Sequence, residues 1–490
     1  MRSKSATSYS SYSDLTSSSI GRSESLTPRL LFAVASVAVG SSFQLGFHIG
    51  CINAPSKVIS KWINESHVHN FGREPSALVN DALWSVTVSL FAVGGILGAL
   101  ISGWLADSVG RKKTLLALNG VVGVATAAMV TAKYVRFYPL LMLGRLLIGI
   151  HAGVVAAVVP LYIVELSPRS RRGALASVHQ LMITVAILVS QVFGLPQLFG
   201  SESRWPFIFV VPMIPALFQL VTLPFCPESP KFKVLVEKKD DAAEKDLRLL
   251  RGEDDVLGEI DAILAEASAE KVGVCALFQG FYRWPTLLAA TLMAAQQLSG
   301  INAVVFYSTR IFEETLGEAN AIYATLAVGG VNVVLTTVSI FLIDRFGRRP
   351  PLLFGFAGMA LSSFGMLGSS LATTYGQAHW CIYLGVGSIV VFVICFAIGP
   401  GSIPFFYVTE LFGTKQRASA SAVVALTNWV FAFVVGVGFL PLQNLFHGYV
   451  FFIFAYICTF GFVLGFVYLP ETKNRSLKDV EQDMERRKPC

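Results

Sequence analysis

The chain has 490 residues of which only 14% are charged, and its mean hydropathy is +0.62, whereas a soluble globular chain carries roughly 25% charged residues. That excludes an ordinary soluble domain and leaves a polytopic membrane protein, whose partner is the lipid bilayer. The net charge of +7 lies in short basic loops beside apolar runs, a pattern that sets membrane orientation and gives no reason to invoke nucleic acid.

Residues 1–29 are Ser-rich and polar, without the early apolar core of a signal peptide, and read as a disordered cytoplasmic tail. Apolar runs long enough to cross a bilayer follow at about 30–52, 82–104, 114–132, 138–160, 174–196 and 205–226. The loop between the first two carries the sequon Asn64-Glu65-Ser66, a candidate glycosylation site. Residues 227–284 mix charges with apolar positions at helical spacing (Ala243, Leu247, Leu250; Ile260, Ile263, Leu264), which predicts a cytoplasmic linker of amphipathic helices. Six further spans fall at about 285–309, 320–343, 351–372, 380–408, 418–440 and 448–469. Residues 470–490 form a second cytoplasmic tail.

Loops after even-numbered spans hold Arg111-Lys112-Lys113, Arg169 to Arg172, Arg345 with Arg348-Arg349, and Lys415 with Arg417; the loops at 197–204, 373–379 and 441–447 share one basic residue. Both termini are therefore expected in the cytoplasm. Two features recur at matching places. Asp107 to Lys112 after span two is echoed by Asp344 to Arg349 after span eight, and Glu165 to Arg172 after span four by Glu410 to Arg417 after span ten. The expected fold is an all-α membrane protein of twelve transmembrane helices in two pseudo-symmetric bundles, residues 30–226 and 285–469, with the substrate site between them near the midplane.

Within span seven, Gln296, Gln297, Ser299 and Asn302 interrupt an apolar run. Uncharged amides that both donate and accept suit the hydroxyls of a sugar, and equally suit hydrogen bonds between helices. Gly399-Pro400-Gly401 and Pro404 predict a kink in span ten, readable as a gate hinge or as packing. Of seven cysteines, Cys51, Cys381, Cys395 and Cys458 lie in apolar runs without metal-ligand or paired spacing. No catalytic set, metal site, cofactor or phosphate-binding loop is expected, so the chain does not read as an enzyme.

Gly103 to Lys112, Gly144-Arg145, Glu165 to Arg172, Pro227-Glu228-Ser229-Pro230, Gln296 to Asn302, Arg345 to Arg349, Gly399-Pro400-Gly401 and Pro470 to Lys473 together resemble the sugar porters of the major facilitator superfamily, and within them the facilitative glucose transporters. The resemblance runs over essentially the whole chain after the first tail. It implies the major facilitator fold, alternating access and a hexose, D-glucose first, as substrate. Carried over by position, the sugar contacts are Gln180, Gln296, Gln297, Asn302, Asn332, Asn428, Trp429 and, lining the cavity, Phe405. The glucose-type pattern has Glu where this chain has Ala397 and Trp where it has Phe405, so a fructose-preferring or mixed hexose carrier stays open. Asp107, Arg111, Arg145, Glu165, Arg172, Arg348, Arg349, Glu410 and Arg417 form the gating set, because positive-inside topology alone would need no acids. Proton-driven relatives carry an Asp in span one facing the Arg at position 145; here the pattern reads Gly46-Phe47-His48, with no carboxylate between Leu30 and Asn53. A uniporter is expected, with a proton-coupled symporter and a non-transporting sugar sensor as the alternatives.

Overall fold

The computed structural model describes residues 26–488 apart from 169–170, 254, 268–272, 377–380, 474 and 476. The expected tail up to residue 25, and Arg169 of the basic motif, therefore lie outside the described residues.

Every regular element described is helical. The chain enters α1 (Pro28–Gly50) with Thr27 as N-cap, its Oγ1 accepting from Leu30 N at 3.3 Å, and Pro28 in the first turn, where no N–H is needed. An amphipathic helix α2 (Ser56–Phe71) leads to α3 (Ala77–Ser108), capped by Ser76, and then to α4 (Arg111–Val135), α5 (Tyr138–Leu166), α6 (Arg172–Phe193) and α7 (Trp205–Phe225). The linker folds into α8 (Asp240–Arg251) and α9 (Leu257–Ala267). As its spacing predicts, α8 buries Ala243, Leu247 and Leu250, while α9 buries Ile260 and leaves Leu264 exposed. Arg251 fixes α8 to the bundle by donating to Leu166 O at 2.6 Å, and Thr27 Oγ1 donates to Leu250 O at 2.8 Å.

Span seven is α10 (Arg283–Gln296) and α11 (Asn302–Leu316), joined by a π-turn over Gln297–Ile301. Gly300 sits there at φ +100°, where a Cβ would fall 2.6 Å from the Phe454 ring, so only glycine fits. Span one has a π-turn at the matching place, Ala38–Ser42. After α12 (Glu318–Phe346) and α13 (Arg349–Gly376), span ten is broken at Gly399–Ser402 into α14 (Cys381–Ile398) and α15 (Ile403–Leu411). The chain ends in α16 (Thr414–Phe446), α17 (Val450–Tyr468) and the tail helix α18 (Leu477–Arg486).

Eleven described stretches are long and apolar enough to cross a membrane; the last, Lys415–Tyr468, is 54 residues long and contains both α16 and α17, which makes twelve spanning helices. The break between these two is His447, at φ 47° and ψ −128°, at the end of the loop expected at 441–447, most of which continues α16 as helix.

Within the first half α3 packs on α5 along glycines: a Cβ on Gly94 would lie 2.1 Å from Leu146 O, and one on Gly149 2.2 Å from Phe91 O. The halves meet through α3 on α16, α6 on α12 and α1 on α11.

Candidate functional site

The π-turn of span seven aims amides at α16. Gln297 Nε2 donates to Asn428 Oδ1, and Asn302 Nδ2 donates to Gln297 Oε1 at 2.9 Å. These three form one cluster. Gln296, one residue earlier, faces elsewhere: its Nε2 donates to Pro400 O and to Gly401 O, the latter at 3.1 Å, so it ties the span-seven turn to the span-ten break. Two broken helices are thus joined where unwound carbonyls need a donor. Trp429 follows Asn428 but is 7% exposed, packed edge-to-face on Phe91 at 5.8 Å and against Gly95 of α3. In this conformation its ring seals the contact between the halves.

Gln180 and Asn332 are half-buried on α6 and α12, which pack on each other; the described hydrogen bonds connect neither to the cluster, and Asn332 Oδ1 accepts from Thr336 at 3.4 Å. Phe405 is exposed on α15, just past the span-ten break, and Ala397 is buried just before it. Other polar groups in the apolar runs do serve as glue: Gln44 donates to Asn119 at 3.0 Å, Asn119 to Gln219 at 2.9 Å, and Gln219 to Ser41 at 2.7 Å, stitching α1, α4 and α7.

The charged residues build one unit twice. In the first half Arg111 Nε lies 2.9 Å from Glu165 Oε2, Nη2 donates to Oε1 at 3.1 Å, and Asp107 lies 3.4 Å away. Glu228 of the Pro-Glu-Ser-Pro motif caps α4 through Arg111 N and Lys112 N at 3.1 Å, and Ser229 Oγ donates to Glu165 at 2.6 Å. In the second half Arg348 reaches Glu410 at 2.9 Å, Glu471 accepts from Arg348 N and Arg349 N at 3.0 Å, and Thr472 Oγ1 donates to Glu410. Tyr162 and Tyr407 donate to the carbonyls of Pro227 and Pro470 in the same relation. Burial works against a charged Glu471, but the N–H groups of Arg348, Lys473, Arg349 and Thr472 outweigh it and hold the carboxyl below its ordinary range.

Glu165 and Glu410 each take an arginine of their own half. Arg172 and Arg417 again match, each Nε donating to a carbonyl five residues earlier, Ser167 O at 3.3 Å and Phe412 O at 3.4 Å. Arg349 Nη2 caps Phe466 O at 2.6 Å. Arg145 stands apart from this set. It is fully buried in α5 with its guanidinium 4.7 Å over Phe91 and Nη1 donating to His48 O at 2.9 Å. Arg145 lies within the span, in the N-terminal third of α5, apart from the Arg111–Glu165 and Arg348–Glu410 units.

The sequon Asn64-Glu65-Ser66 lies inside α2, with Ser66 Oγ donating to Arg136 O at 2.8 Å and accepting from Tyr138 N at 3.1 Å. At this sequon end the halves are joined by residues that sequence reasoning missed: Asn53 donates to Ser308 at 2.8 Å and accepts from Thr309 N at 3.3 Å, and Lys57 pairs with Glu313 at 3.3 Å. The available signal was that they are polar residues at span ends, which is also what ordinary interfacial residues look like.

The profile of a family described as "Sugar (and other) transporter" matches residues 33–484. The chain is 44% identical to "Facilitated glucose transporter protein 1" of Caenorhabditis elegans, over 99% of this chain and 96% of that one. It is 40% identical to human "Solute carrier family 2, facilitated glucose transporter member 3", over 94% and 93%. Among solved structures, a partially occluded inward-open conformation of the Escherichia coli xylose transporter XylE superposes with a TM-score of 0.77 at 22% identity, covering 92% of this chain and all of that one. A second form of XylE, described as a proton:xylose symporter bound to 6-bromo-6-deoxy-D-glucose, gives 0.75.

Proposed function

The chain belongs to the sugar transporter family of the major facilitator superfamily, and from that premise we propose that it is a facilitative hexose carrier, with D-glucose as first substrate, working by alternating access in the cell membrane. The observation that carries the reading is the neutral amide cluster of Gln297, Asn302 and Asn428, built from two helices at a broken span. Its donors and acceptors can exchange their mutual bonds for sugar hydroxyls without burying a charge. Gln180, Gln296 through its Oε1, which accepts no described hydrogen bond, Asn332, Phe405 and Trp429 complete the proposed binding set. Relatives named as facilitated glucose transporters support glucose over other sugars.

Carrier action without an ion gradient is supported by α1. Arg145 faces a backbone carbonyl there, His48 O, and the Phe91 ring of α3, and the sequence supplies no acid between Leu30 and Asn53 to take up and release a proton. Residues 30–226 and 285–469 act as the two moving bodies, joined by the linker at 227–284. The termini, the linker and the Arg111–Glu165 and Arg348–Glu410 units face the cytoplasm, which puts the sequon outside. Asn64 would then receive a glycan during synthesis, before α2 docks.

A second reading is favoured by Ala397 and Phe405, which remove an acceptor and shrink a ring relative to the glucose pattern: the site takes fructose as well. Uptake into vesicles containing only this protein, with glucose, fructose, galactose and 2-deoxyglucose as competitors, tests both. Glucose and 2-deoxyglucose are expected to compete best. Ala397→Glu and Phe405→Trp are each expected to raise the glucose-to-fructose uptake ratio by about threefold to tenfold, the worth of one weak to moderate hydrogen bond or ring contact. A ratio unmoved in both single variants and the double variant removes these positions from specificity.

A further inference from the structure

Asp81 lies in the first turns of α3 and Arg310 near the end of α11, so they belong to different halves. They meet at the sequon end, with Arg310 Nη1 3.0 Å from Asp81 Oδ1. The other carboxylate oxygen, Oδ2, accepts from Asn444 Nδ2 of α16 at 2.8 Å. One carboxylate therefore ties a helix of the first half to two helices of the second. The side chains keep 33% and 19% of their surface exposed, which leaves the pair partly screened.

The position of these bonds decides what they can do. Arg111–Glu165 and Arg348–Glu410 lie inside single halves, so a rigid-body movement of the halves leaves them intact. All the bonds of Asp81 to Arg310 and Asn444 cross between the halves, so opening the sequon end breaks them together. An interaction present in one state and absent in the other biases the equilibrium; one present in both does not. Lys57–Glu313, the other described ion pair between the halves, lies beside it, but Lys57 is on α2, outside the spanning bundle.

We propose that Asp81, Arg310 and Asn444 form a charged latch that holds the sequon end closed, and that its strength sets how often the sugar site is presented to that side. This rests on the carrier reading above, but the latch is a statement about two conformations and is measurable without sugar.

The test uses Ser85, buried one turn deeper on α3. Ser85→Cys is introduced into the full chain, and the rate at which a membrane-impermeant methanethiosulfonate labels it from the sequon side is measured in sealed vesicles. Cys275, the exposed native cysteine among those described, lies in the linker at the opposite end. Asp81→Asn and Arg310→Gln are expected to speed labelling by about threefold to tenfold, tenfold being about 1.4 kcal/mol of lost bias. Asn444→Ala is expected to do so by less and guards against misfolding of a charge variant. The exchanged pair Asp81→Arg with Arg310→Asp should return the rate toward that of the parent.

Unchanged labelling in the single variants overturns the latch, as does acceleration that the exchanged pair fails to reverse. Accelerated labelling in a protein that moves no hexose would leave the latch standing and refute the substrate instead.

Discussion

Replacing Gln297 with alanine is expected to lower kcat/KM for glucose uptake by about tenfold to a hundredfold, because the loss of two hydrogen bonds between neutral groups costs about 1.4 to 2.8 kcal/mol. Gln297 is the hub of the cluster, bonded to both Asn428 and Asn302. Its loss removes the contacts proposed for it with the sugar and strips two neighbours of a hydrogen-bond partner. Gln180→Ala, at the half-buried site on α6, should reduce uptake less, since Gln180 holds no other described member in place. Uptake is compared at equal surface amounts of protein. Transport like that of the unmodified chain in both variants would sink the assignment of the site.

The second large effect is expected at Arg111. Its side chain and that of Glu165 are 7% and 6% exposed, and removing one partner of a buried pair leaves an uncompensated charge at a cost of about 3 to 5 kcal/mol. Arg111→Gln should therefore lower the thermal stability of the purified protein sharply and abolish most transport. Arg111→Gln combined with Glu165→Gln should recover much of the stability, because the orphaned charge goes with its partner. Arg348→Gln should cost less, since Arg348 and Glu410 keep 19% and 26% of their surface and are better solvated. Equal losses at Arg111 and Arg348, or no recovery in the double variant, would mean that burial does not govern these units.

The residues differ in how much of this they announced. Long apolar runs are dictated by the thickness of a bilayer, so the twelve spans could be read directly, and the two echoed motifs revealed the duplicated half. The amides of span seven stood out because a polar group in an apolar run needs a partner. Which partner is a three-dimensional fact: Gln296 and Gln297 are adjacent in the chain, yet one bonds the span-ten break and the other α16. The acids Glu165 and Glu410 were visible as a matched pair, whereas their arginines and the capping roles of Glu228 and Glu471 follow from helix ends meeting in space. Asp81 and Arg310 are separated by 229 residues, and no local pattern links them. Trp429 was legible as an aromatic beside an amide, but its packing on Phe91 depends on how far the halves have closed.

Passive movement of hexose is measurable in vesicles containing only this protein, with glucose at equal concentration on both sides and an inward proton gradient imposed. Labelled glucose is expected to exchange to equilibrium with no net accumulation, and a protonophore to change nothing. Uphill accumulation that collapses when the protonophore is added would contradict passive movement and make His48, beside Arg145, the first residue to replace.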